Sequence, residues 1–120
     1  MKVSLTIAER ISLFEALPQQ GSILTLRTIT ALREQLAFTD KERQVWKIEQ
    51  KETPQGLMMV WDFDFNKVEV EFDINDATKG LIYVSLEKLS NDGQLRMEMI
   101  SLYEKFVEGK KSNEVVESVR

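Results

Sequence analysis

The middle of the chain changes its hydrophobic period, and that change limits the fold more than any other feature. Trp46 and Ile48 alternate with Lys47, Glu49 and Lys51. Met59, Trp61, Phe63 and Phe65 then alternate with Val60, Asp62 and Asp64, and Val68, Val70 and Phe72 alternate with Glu69, Glu71 and Asp73. A period of two sorts side chains onto the two faces of a strand, whereas the flanking sequence repeats at helical spacing. Thr53-Pro54-Gln55-Gly56 and Asn66-Lys67 separate the runs and read as tight turns. Together they predict a three-stranded antiparallel meander.

The two turns agree on register. A loop at Asn66-Lys67 sets Phe65 opposite Val68, Phe63 opposite Val70 and Trp61 opposite Phe72; a loop at Thr53–Gly56 sets Ile48 opposite Trp61 and Trp46 opposite Phe63. Both hairpins then place the apolar set on one face, which a slip of one residue would undo. The outer strands, Trp46–Glu52 and Val68–Asp73, would be sheet edges.

Helices are expected on either side. Ile7, Ile11, Phe14 and Leu17 form one stripe, ended by Pro18 and Gly21. Leu26, Ile29, Leu32 and Leu36 form a second, over Thr25–Phe38. Thr39-Asp40-Lys41-Glu42 has the pattern of a capping box opening a short helical turn. After the sheet, Asn75 or Asp76 caps a helix running to about Leu89, with Gly80 expected at a close packing contact. Leu95, Met99, Leu102, Tyr103 and Phe106 mark the last helix, which stops at Gly109. The expected fold is α+β: a three-stranded antiparallel meander with about four helices, two before and two after the sheet. Residues 1–109 form one domain, and residues 110–120, which lack a core face, are expected to be a disordered tail.

Composition removes several chemistries. With no cysteine and no histidine, thiol catalysis, thiolate metal sites, disulfides and a Ser–His–Asp triad are unavailable. Nucleotide-binding glycine loops and the calcium-loop pattern are absent from the sequence. The expectation is a protein that is not an enzyme and needs no cofactor or metal. No long apolar run precedes Glu9 and Arg10, so neither a secretory leader nor a membrane span is expected, and a cytoplasmic location fits. The net charge of -4 disfavours non-specific binding to nucleic acid.

The meander would gather acidic residues on its outer face. Asp64 would lie opposite Glu69, and Asp62 opposite Glu71, with Lys47 offsetting Asp62. Like charges directly opposite one another destabilise a sheet. A face of Asp62, Asp64, Glu69 and Glu71 is therefore a candidate site for a basic protein partner, although a solvated strand face must be polar in any case. A divalent cation or an acid/base pair at these carboxylates is a weaker reading. The alternative is nucleic-acid binding through Arg27, Arg33, Lys41 and Arg43 on the second and third helices. That order of helices before a hairpin loosely echoes a winged helix, but the stretch after Thr39 is short for a recognition helix and its basic residues are interleaved with Glu34, Asp40 and Glu42. Trp46, Trp61, Phe63 and Phe65 are expected in the core rather than as a base-stacking platform.

The run Ile11-Ser12-Leu13-Phe14-Glu15-Ala16-Leu17-Pro18-Gln19-Gln20-Gly21 carries a further signal, with Thr25-Leu26, Leu32-Arg33, Leu36, Phe38-Thr39 and Glu42. It resembles the opening of small proteins encoded in bacteriophage and prophage genomes, and Leu102-Tyr103-Glu104-Lys105-Phe106 is similar to their ending. The resemblance implies a phage-type accessory protein of the bacterial cytoplasm that works by contact, as an adaptor or inhibitor of a host or phage protein. It carries no site residues. A homo-oligomer paired through strand edges would also fit.

Overall fold

The alternation of the first six residues is a strand signal in its own right: Val3 and Leu5 are buried while Lys2 is exposed. In the computed structural model, which describes residues 1–109, Lys2–Thr6 forms strand β1. It pairs antiparallel with the last strand of the chain, Glu69–Asp73, setting Val3 opposite Phe72 and Leu5 opposite Val70. The pairing continues past its end, where Ile74 N–H donates to the Met1 carbonyl at 2.7 Å. The expected tail, residues 110–120, lies outside the described residues.

Thr6 ends β1 and caps helix α1 (Ile7–Ala16): its side chain accepts the Glu9 N–H, and the Glu9 carboxylate accepts the Thr6 N–H. Helix α2 (Ile23–Leu36), capped by Ser22, buries Ile29, Leu32 and Leu36. Helix α3 (Asp40–Trp46) opens on the capping box Thr39–Glu42. It ends at Lys47, whose left-handed backbone (φ 55, ψ 45) turns the chain sharply.

Strands β2 (Glu49–Thr53) and β3 (Gly56–Val60) follow as a hairpin. Its register is the one expected from the turn signal, with Glu49 opposite Val60 and Thr53 opposite Gly56. Only Pro54 and Gln55 lie between the paired ends. A single turn of 3-10 helix, Phe63–Phe65, leads to β4 (Glu69–Asp73), then α4 (Asp76–Asn91, capped by Asn75). A second 3-10 turn at Met97–Met99 runs into α5 (Ile100–Phe106).

The meander does not form. Among the described residues, two separate two-stranded sheets, β1–β4 and β2–β3, take its place, with five helices rather than four, three of them before the hairpin. Two local conformations account for the difference. At Asp62 the side chain accepts the Asp64 N–H at 2.9 Å, and Phe65 N–H donates to the Asp62 carbonyl, so an Asx turn interrupts the strand pattern. Phe63 is thereby left 79% exposed instead of entering the core. At the other end, Trp46 belongs to α3 rather than to a strand, and it is buried there beside Phe65 with ring centroids 6.5 Å apart. β4 is released from β3 and pairs with the N-terminal strand, a partner more than sixty residues away in sequence.

The core is built from Leu5, Ile7 and Leu13, Leu32 and Leu36, Trp46, Val70, Phe72 and Ile74, Ile82 and Leu86, and Leu102 and Phe106. Each large aliphatic or aromatic side chain buried here contributes about 1.5–3 kcal/mol against the cost of ordering the chain. Gly80 differs from expectation: there is open space where a Cβ would stand, with nothing within 4 Å.

Candidate functional site

Two ion-pair assemblies are buried, and both hold elements together. Arg10 on α1 is fully buried and reaches the end of α2, donating from Nε and Nη2 to the Leu36 carbonyl (3.1 and 2.7 Å) and from Nη2 to that of Ala37 (3.1 Å). The same guanidinium pairs with both oxygens of Glu42 at 2.8 and 3.1 Å, and it lies between the rings of Phe38 and Phe72. It thus caps the negative end of α2 while neutralising the capping carboxylate of α3. The second assembly joins α5 to β1, α1 and β4. Lys105 Nζ donates to the Ser4 carbonyl and to Glu9 Oε1, both at 2.7 Å, and to Glu69 Oε1.

The expected acidic face is not assembled. Glu69 is buried at 1% exposure under Lys105, and it lies opposite Thr6, not Asp64. Glu71 is exposed on β4 opposite Ser4. Asp62 and Asp64 belong to the Asx turn, where Asp62 serves as its cap. The register that would have set these four carboxylates against one another is the one the two-sheet topology replaces. The basic set is divided as well. Arg27 lines a shallow depression with Asn75 and Thr78, Lys41 is exposed at the start of α3, and Arg33 and Arg43 line a different depression.

Arg33 and Arg43 line the same concave surface. A depression of about 370 Å³ is lined by Ile11, Phe14 and Glu15 of α1, Arg33, Phe38, Arg43 and Met59 of β3. A second, of about 380 Å³, is lined by Ala8, Ile11, Ser12 and Glu15 of α1 and by Leu57, Met58, Met59, Trp61 and Glu98. The two share Ile11, Glu15 and Met59 and make one trough between α1 and the hairpin. Three consecutive residues of β3 line the second depression. Since successive side chains of a strand point to opposite faces, that depression meets β3 along its edge.

The trough has an uneven electrostatic rim. Glu15 and Glu98 are both matched by Arg96, the latter at 3.8 Å. Arg33 and Arg43 form no ion pair among the described residues. Leu57 is 70% exposed and Met58 50%. Sequence reasoning missed this surface, although a signal was present: Leu57-Met58-Met59-Val60 is a run of four apolar residues that breaks the period-two pattern, so it cannot be buried on one face alone.

Fold and surface define a small α+β domain carrying a two-stranded arm beside a concave trough of apolar and charged side chains. Comparison with known proteins found no matching family model, no similar curated protein and no similar solved structure. No helix among the described residues is long and apolar enough to cross a membrane.

Proposed function

We propose that this protein works by contact with another protein, as a small accessory adaptor or inhibitor of the kind phage and prophage genomes encode, and that the trough between α1 and β3 is its contact surface. One observation carries the reading: β3 presents an apolar, uncharged edge to solvent and to a concave surface. Natural sheets blunt such edges with charge, proline or bulges unless the edge is used. The trough takes the role first assigned to the acidic residues, because Glu69 is buried in the fold.

The test is site-specific photo-crosslinking in cells, with a photoreactive amino acid at Leu57 and, as control, at Glu49 on β2. A discrete adduct at Leu57, absent at Glu49 and lost when Met58→Lys is added, is the expected result. Identical adducts at both positions, or an adduct indifferent to Met58→Lys, would dismiss this surface.

Nucleic-acid binding is the second reading, favoured by Arg33 and Arg43 lining one depression. It requires duplex affinity that falls steeply with salt.

A further inference from the structure

We infer that β3 accepts an extended, acidic segment of a partner protein as a third strand, with carboxylates of that segment meeting Arg33 and Arg43. The inference rests on the contact reading above and specifies the partner's chemistry.

Three observations converge. First, β2 satisfies one side of β3, and no described strand pairs with the other. Backbone N–H and C=O groups alternate in direction along an antiparallel strand, so about half of those on β3 point away from β2. The two edges of the hairpin are unlike: β2 carries Glu49, Lys51 and Glu52, whereas Gly56–Val60 carries no charge. The charged edge is protected against strand addition and the uncharged one is open to it.

Second, the floor beside that open edge suits side chains from an added strand, its two carboxylates, Glu15 and Glu98, being matched by Arg96. α1 contributes Ala8 and Ser12, which are small, next to Ile11. Main-chain hydrogen bonds supply affinity in this mode of recognition, and pockets for alternate side chains supply specificity. At about 3.3 Å per residue, the five residues of β3 would pair with a segment of roughly five to seven residues.

Third, charge selects the occupant. The depression adjoining the edge is lined by two guanidiniums, Arg33 and Arg43, that have no ion-pair partner among the described residues, together with Phe14, Phe38, Met59 and Glu15, whose carboxylate is already matched by Arg96. A guanidinium binds carboxylate in a fixed two-pronged geometry, and both side chains are exposed and reachable by a partner. A second copy of this chain would bring its own β3, which has no charge to offer Arg33 and Arg43. A nucleic acid offers phosphates but cannot continue a β-ladder.

Selection from a displayed library of random decapeptides on the immobilised full-length protein tests the inference. Parallel selections use Met58→Lys and the pair Arg33→Glu with Arg43→Glu, each checked for an unchanged melting temperature. The wild type should enrich proline-poor sequences in which acidic and apolar residues alternate. Met58→Lys should abolish the enrichment, and the charge-reversed pair should replace acidic with basic residues and weaken the wild-type peptides at least tenfold. A bound peptide should also slow amide exchange within Leu57–Val60. Peptides that bind the charge-reversed protein equally well, show helical spacing, or leave the β3 amides unprotected would overturn the inference. If crosslinking at Leu57 still depends on Met58 in that event, contact through the trough survives and strand addition by an acidic segment does not. Loss of both signals, or self-association or DNA binding in their place, would remove both.

Discussion

Replacing Lys105 by methionine should be among the most damaging single changes available, and its size follows from the burial of its partners. The Lys105 side chain is 11% exposed, and those of Glu9 and Glu69 are 6% and 1% exposed. Removing the ammonium strands two carboxylates in a space already short of donors, because Glu9 Oε2 and Glu69 Oε2 have no hydrogen-bond partner among the described residues. Breaking a buried pair by deleting one member costs about 3–5 kcal/mol, chiefly as the penalty for the uncompensated charge that remains. A single small domain holds about 5–15 kcal/mol in total, so the variant keeps little reserve. At roughly 4 °C per kcal/mol for a domain of this size, the melting temperature should fall by about 12–20 °C. Urea unfolding at neutral pH, followed by tryptophan fluorescence, measures the loss directly. The double variant Lys105→Met with Glu69→Leu should regain at least half of it, since apolar groups of similar volume replace a buried pair at little cost. Glu9 would remain, but its Oε1 also accepts the Thr6 N–H at 2.9 Å. A loss below about 1 kcal/mol for Lys105→Met, the range of an exposed pair, would refute this account of the cluster. So would a double variant less stable than the single one.

Phe63→Ala separates the observed fold from the meander: as an exposed turn residue it should change stability by no more than about 0.5 kcal/mol, whereas a core phenylalanine would cost about 3–5 kcal/mol. Thr39→Ala removes the side-chain oxygen that accepts the Glu42 N–H and should cost about 1 kcal/mol in thermal unfolding. Tyr103 donates to the Glu87 carboxylate, and that hydrogen bond, with burial and the Glu87 charge adding to it, raises its phenol above the ordinary value near 10. A raised folded-state value means that this stabilisation is present below pH 10 and is lost as pH climbs through the folded value. Melting temperature should therefore fall in that alkaline range, and less steeply in Tyr103→Phe.

What could be read from the sequence was set by interactions close along the chain. The Thr39–Glu42 capping box, the α2 stripe of Ile29, Leu32 and Leu36, and the register of the first hairpin all depend on residues within a few positions of each other. The failures came where two local rules competed. Alternation through Trp61, Phe63 and Phe65 argued for a strand, but the Asp62 side chain captured the Asp64 N–H and turned the chain. Alternation is an average over a segment, and one well-placed hydrogen bond at a turn can override it. β1 was missed for another reason. Its alternation, with Val3 and Leu5, spans few residues, and its partner β4 lies more than sixty residues further along the chain. Separation along the chain also hid the candidate site: the apolar run of β3 marks an exposed strand, but the trough beside it is completed by residues of α1, α2 and α3.

The burial of Glu69 and the exposure of Leu57 and Met58 invert the expected surface, and the inversion has one cause. Once the Asx turn frees β4 to pair with β1, the carboxylate of Glu69 faces inward and Lys105 must follow to neutralise it. β3 correspondingly loses the strand that would have covered its second edge. That edge is nevertheless not loose. Asp62 N–H donates to the Trp46 carbonyl at 2.9 Å, Ile48 N–H donates to that of Arg43, and Trp46 and Ile48 are both buried. The hairpin is therefore anchored at its base to the core while its outer strand stays open. An edge held in its paired conformation beforehand spares an incoming segment the ordering of both strands, which leaves more of the ladder's hydrogen bonding to appear as affinity.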